Sequence, residues 1–132
     1  MRLLTPEGAV FDDVAYMVIA PSVQGEVGIL PRHAPFIAQL QTGNVRITRV
    51  DDDSSEIYAT TGGYVSVEED RVLILVEQAE HAGQIDLERA QAALARAEQA
   101  LAEAGDDEVA QVAAESARRR AENRLRVADR VR

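Results

Sequence analysis

Cysteine is absent from the 132 residues. That removes disulfides, thiolate metal sites and cysteine nucleophiles together, and leaves nothing that argues for an oxidising compartment. Tryptophan is also missing and aromatics make up only 4% of the chain. A core must therefore be assembled from Val, Ile, Leu and Ala, with Phe11, Phe36, Tyr16, Tyr58 and Tyr64 as its occasional larger pieces. No apolar run approaches the roughly 18 to 20 residues that span a bilayer, and the N-terminus lacks a basic-then-apolar secretory signal. A soluble chain facing a reducing compartment is expected. Lysine is absent too, so all 14 basic residues are arginine, a bias to which no function is assigned.

Catalytic and metal-binding constellations are equally scarce. No nucleophile or second ligand clusters with His33, and His81 lies far along the chain. The run Asp51-Asp52-Asp53 lacks the spaced ligands and turn glycine of a calcium loop and reads as a solvated hairpin tip, and no Walker-type phosphate loop occurs. No catalytic residue and no metal site are assigned. The net charge of −9 argues against nucleic-acid binding, which needs a basic surface. The average hides a gradient, however. Carboxylates dominate from Asp86 to Glu108, whereas arginines outnumber them from Val109 onward. A basic helical tail suits an acidic protein partner, although a solvated helix face would have the same composition.

Two regimes follow one another along the sequence. Up to about Glu77, short apolar stretches are divided by turn signals at Pro6-Glu7-Gly8, Pro21-Ser22, Gly43-Asn44 and Gly62-Gly63. Residues Val14 to Ile19 read as a strand; Val45 and Ile47, then Ile57 and Ala59, alternate with polar neighbours. The stretch Val72 to Val76 is apolar on both faces, which suits a strand buried on both sides. Gly25, Gly28 and Gly43 read as turn residues with positive φ. Many short strands with frequent turns predict a sandwich or flattened barrel.

Beyond Gly83 the period changes to that of a helix. Leu87, Ala90, Leu94, Ala97 and Leu101 mark one helix capped by Asp86. After a stop at Gly105-Asp106-Asp107, a second helix runs from Val109 to about Val131 and offers Val112, Ala113, Ala117, Ala121, Leu125 and Ala128 to the first. So short a loop predicts an antiparallel hairpin. Each buried methylene contributes about 0.8 kcal/mol, so an alanine seam holds weakly. Alanine also has the highest helix propensity, so each helix can persist if the pair opens. The expected division is a β-sandwich over residues 1–84 and a two-helix hairpin over 85–132.

Three segments together resemble the epsilon subunit of F-type rotary ATP synthases. They are Gly25-Glu26-Val27-Gly28-Ile29-Leu30-Pro31-Arg32-His33-Ala34-Pro35, then Gly62-Gly63-Tyr64-Val65-Ser66-Val67 with Val72 to Glu80, and Ile85-Asp86-Leu87-Glu88-Arg89-Ala90. The resemblance implies a ten-stranded sandwich that packs on the gamma subunit against the rotor ring of c subunits, where the loop carrying Glu26 and His33 makes contact. It implies a hairpin that either folds down or extends along gamma toward the alpha and beta subunits and slows ATP hydrolysis. It implies no catalysis by the chain alone, no required cofactor, and peripheral attachment through partners. A bacterial plasma membrane, cytoplasmic side, is favoured by the arginine bias and by the lack of a transit peptide.

The resemblance further implies ATP as a regulatory ligand of the folded hairpin, through Glu80, Ile85, Asp86, Arg89, Ala90, Arg120 and Arg124. Whether magnesium accompanies it is open. Arg120 and Arg124 stand four apart and share a helix face, so both can reach one phosphate chain; a plain N-cap and a solvated arginine face are the alternative. In the extended form Arg118, Arg119, Arg124 and Arg126 would pair with an acidic segment of beta. A free-standing ATP-sensing or adaptor protein of the same fold is the second functional reading.

Overall fold

Apolar residues recurring at every second position build strands with one buried face, and this period governs the first eighty residues. The computed structural model describes residues 1–51 and 54–130, which part into two units, Met1–His81 and Ala82–Arg132. The first holds β1 (Arg2–Thr5), β2 (Gly8–Asp12), β3 (Ala15–Ser22), β4 (Gly25–Ile29), β5 (Phe36–Leu40), β6 (Gly43–Arg49), β7 (Ser55–Thr60), β8 (Gly63–Glu68), β9 (Arg71–Val76) and β10 (Ala79–His81). They make one ten-stranded sheet in the order β10-β7-β6-β3-β5-β8-β9-β1-β2, with β4 paired to β3 off that path. Pairing is antiparallel except between β1 and β9, where Leu3 lies opposite Ile74 in parallel register.

The sheet turns a corner between β3 and β5. Those strands share one ladder pair, Ser22 with Leu40, supported by Val23 N–H donating to Gln39 O at 3.0 Å and Gln41 N–H to Pro21 O at 2.9 Å. Folding there brings the inward faces of both halves onto one core. Leu3, Phe11, Leu40, Val65, Ile74 and Val76 from one half join Val18, Ala20, Ile29, Val45, Ile47 and Tyr58 from the other.

Several local expectations are corrected. Pro21 and Ser22 belong to β3, and Gly43 and Asn44 to β6, because backbone pairing continues through them. Gly25 does take φ 125°, but Gly28 and Gly43 do not have positive φ. At Gly43 the reason for glycine is space, since a Cβ would stand 2.9 Å from Pro21 Cβ; nothing in the structure explains glycine at position 28. In β7 Tyr58, opposite Val45, joins the core cluster as expected; Ala59 is buried as well, while Ile57 is only half-buried. The Tyr58 ring body is apolar and its hydroxyl donates to Val10 O at 3.3 Å; burial, with Glu56 beside it, pushes that phenol above its ordinary pKa. Strand β9 is not covered on both faces, because Leu75 is exposed. Of the Asp51-Asp52-Asp53 tip only Asp51 lies within the described residues, in a turn.

The second unit opens with a short 3-10 turn, Ala82–Gln84, followed by helices α1 (Leu87–Glu103) and α2 (Glu108–Asp129). The Asp86 carboxylate accepts the Arg89 amide at 3.2 Å and the Asp107 carboxylate accepts the Ala110 amide at 3.1 Å, so each helix starts on an aspartate cap. Gly105, at φ 55°, turns the chain between them. The seam is made by Ala90 and Ala97 of α1 against Ala114, Ala121 and Ala128 of α2, flanked by half-buried Leu87, Leu94, Leu101, Ala117 and Leu125. Val112 and Ala113, expected in the seam, are exposed; a seven-residue spacing back from Ala121 selects Ala114 instead. The expected end near Val131, and Arg132, lie outside the described residues.

A Cβ at Gly63 would stand 1.9 Å from the carbonyl oxygen of Leu75, a clash only a shift of β8 against β9 relieves. Gly63→Ala is expected to destabilise the chain by about 2 to 3 kcal/mol in urea denaturation. A change within about 0.5 kcal/mol would show that this close approach is not required.

Candidate functional site

Small residues in the seam fix how each helix is rotated about its own axis, and that decides where the charges stand. In an antiparallel pair of right-handed helices, the residue just before a seam position projects to the same flank on both. Arg89 and Arg96 precede Ala90 and Ala97; Arg120 precedes Ala121, and Arg124 lies one turn further along the same side. Counting outward from the turn at Gly105 sets Arg89 at about the level of Glu122, between Arg120 and Arg124, at 1.5 Å of rise per residue. One flank of the hairpin therefore carries guanidinium groups from both helices, with the Asp86 cap at its end.

The opposite flank is mixed in charge. Arg118 pairs with Glu115 and, at 3.8 Å, with Glu122. Arg120 donates to Ser116 Oγ at 2.7 Å, a neutral partner that an anion can replace. Ile85 and Ala90 are buried, while Arg119 and Arg126 are exposed. Of the residues expected at an ATP site, the hairpin holds Ile85, Asp86, Arg89, Ala90, Arg120 and Arg124; Glu80 belongs to the sandwich, in β10 opposite Ala59. Sequence reasoning passed over Arg96, although its place before Ala97 repeats that of Arg89 before Ala90. Among the described residues no three His, Asp or Glu side chains gather as a metal site requires.

The sandwich carries two further features. Glu26, on β4, receives both its carboxylate contacts from Arg46 Nη2 at 3.1 Å, reaching diagonally across β3. His33 lies in the loop after β4, its Nδ1 2.7 Å from Ala34 O and its ring edge-on to Phe36 at 5.7 Å. A carbonyl only accepts, so Nδ1 holds the proton in that bond.

The second feature is an apolar outer face. Tyr64 lies opposite both Gln39 and Leu75, Leu75 lies opposite Leu4, and Ile37 stands two residues from Gln39 on the same side of β5. Ile37, Tyr64 and Leu75 are 73%, 56% and 48% exposed. Adjacent exposed apolar side chains on one sheet face are what a docking partner covers. The signal was present in the sequence as the doubly apolar run Val72 to Val76, whose second face is open. No helix of the described residues is long and apolar enough to cross a membrane.

Comparison with known proteins agrees with this architecture. Residues 1–82 match the family model for the ATP synthase delta/epsilon chain beta-sandwich domain, and residues 84–129 that for its long alpha-helix domain. The ATP synthase epsilon chain of Halalkalibacterium halodurans is 42% identical over 130 residues, covering 98% of this chain and 96% of that one. The epsilon chain of Brevibacillus brevis is 46% identical over 103 residues, 78% of this chain and 77% of that one. The same fold occurs in a chain of the Euglena gracilis mitochondrial ATP synthase structure that includes F1 and the c-ring, with TM-score 0.79 and 22% identity over 92% of this chain and 76% of that one. Matched along nearly its whole length by both domain models and by full-length relatives, the chain belongs to the family of ATP synthase epsilon chains, non-catalytic subunits of that enzyme complex.

Proposed function

We propose that this chain couples the gamma subunit to the rotor ring in a bacterial F-type ATP synthase, and that its hairpin restrains ATP hydrolysis in response to ATP. The observation that carries the regulatory half is the flank formed by Arg89, Arg120 and Arg124. Guanidinium groups from two helices facing one space suit a polyphosphate, because each forms charge-assisted, often bidentate bonds to phosphate oxygens. Bound there, ATP would tie α1 to α2 across a seam that alanine alone holds weakly. Mass action adds about 2.7 kcal/mol when ligand exceeds its dissociation constant a hundredfold. With little ATP the helices would separate and extend, each keeping its own cap and helix propensity.

The extended tail would then offer Arg118, Arg119, Arg124 and Arg126 to an acidic segment of beta, beside alpha. Arg118 would leave Glu115 and Glu122 to do so, an exchange of similar partners with little net cost. On the sandwich, the Ile37, Tyr64 and Leu75 face would seat gamma, and Glu26 with the His33 loop would meet the ring. Attachment to the cytoplasmic side of the plasma membrane is then peripheral, and proton transport is a property of the complex.

Calorimetric titration of the chain with ATP should show saturable binding, weakened at least about tenfold in an Arg120→Ala, Arg124→Ala double variant, or roughly 1.4 kcal/mol. Equal affinity in the double variant would remove the switch. Replacing Arg118, Arg119 and Arg126 by alanine should raise hydrolysis by the assembled complex at low ATP; unchanged inhibition would refute the pairing with beta. Leu75→Asp should abolish capture by gamma while leaving the melting temperature of the chain in place, and normal capture would move the gamma seat elsewhere.

A further inference from the structure

Among the described residues, the three non-glycine positions with left-handed backbone are Arg32 (φ 65°), Glu69 (φ 49°) and Asp70 (φ 62°). Arg32 and Asp70 are 38 residues apart in sequence, yet they meet: the Arg32 amide donates to Asp70 Oδ1 at 2.6 Å. Glu69 and Asp70 are the two central residues of the β8–β9 hairpin, between the last pair Glu68 and Arg71. A turn with two positive φ values normally takes Asn-Gly or Asp-Gly, so Glu-Asp is an uphill choice. Arg32 sits in a tight turn of its own, closed by His33 N–H donating to Leu30 O at 3.2 Å, between the φ-restricted Pro31 and Pro35. Left-handed backbone at non-glycine residues persists where surrounding interactions over-determine it, and here both strained turns hold the two ends of one charge-assisted bond.

We infer that Asp70 is a positioning residue, which clamps the Leu30–Pro35 loop and so fixes how His33 is presented. This rests on the reading that the loop meets the rotor ring. The β8–β9 turn gives up its preferred glycine because Asp70 also serves the neighbouring loop. Its carboxylate, held at the hairpin tip, is the acceptor for that loop's backbone. Torque transmitted through the loop is then borne by a rigid two-strand hairpin instead of by the loop's own flexibility.

Two substitutions separate turn chemistry from the clamp. Asp70→Gly permits the left-handed turn but removes the acceptor; Asp70→Asn keeps an Oδ1 acceptor and tolerates the same backbone. In the full chain, Asp70→Gly should exchange the Arg32 amide about tenfold faster, and in the reconstituted complex it should lower proton pumping per ATP hydrolysed. Asp70→Asn should preserve both. A Glu26→Ala, His33→Ala variant is measured beside them. Wild-type exchange in Asp70→Gly would overturn the clamp. Normal pumping in Asp70→Gly, when the Glu26, His33 pair uncouples, would overturn the positioning role alone. Normal pumping in both would bring down the rotor-ring reading and this assignment with it.

Discussion

Small side chains at the contacts bring backbones close together, and the two units both follow from that. The largest fully buried side chains are leucines, isoleucines and valines. In the sandwich a glycine is required where β8 runs beside β9, because a Cβ at Gly63 would stand 1.9 Å from the carbonyl oxygen of Leu75. In the hairpin the same leanness takes the form of an alanine seam. Alanine contributes little to adhesion, yet its placement at seven-residue spacing fixes helix rotation, and rotation sorts the charges. Arginines from both helices share one flank and the Glu115, Arg118, Glu122 pairs share the other.

Much of this was legible in the sequence because it rests on local chemistry. Asp86 and Asp107 announce helix starts through a carboxylate next to orphan amides, and the change from period two to period 3.6 near Gly83 separates the units without any tertiary information. What failed depended on partners distant in sequence. Whether Pro21 and Gly43 turn or continue is decided by β4 and β7, which pair with them. In β7 Tyr58 and Ala59 are both buried while Ile57 is only half-buried, which a single strand's alternation cannot show.

The candidate sites divide in the same way. The Arg120 and Arg124 pair, and equally the kinship of Arg96 with Arg89 seven residues earlier, could be read from helical spacing; that both helices turn these arginines to one flank needed the seam to be known first. The Leu75 face was visible but misread, since an apolar run says that both sides of a strand avoid water and does not say what covers each. In the fold one side meets the core and the other is exposed at Leu75. The clamp between Arg32 and Asp70 had no sequence signal at all, because it joins a backbone amide to a turn that breaks the usual preference for glycine.

The parallel pairing of β1 with β9 sets an order of events during synthesis. Leu3 finds its neighbour Ile74 only after some seventy further residues have left the ribosome, so the N-terminal hairpin waits in solution with one edge unpaired. The hairpins β6–β7 and β8–β9 have only local partners to find and can form before β1 docks on the edge of β9. The helices come last, and α1 and α2 find each other across one short turn. A nascent chain of this kind is most exposed to unwanted strand pairing early, along β1, a strand of only four residues, and shortness is itself a protection against edge-to-edge association.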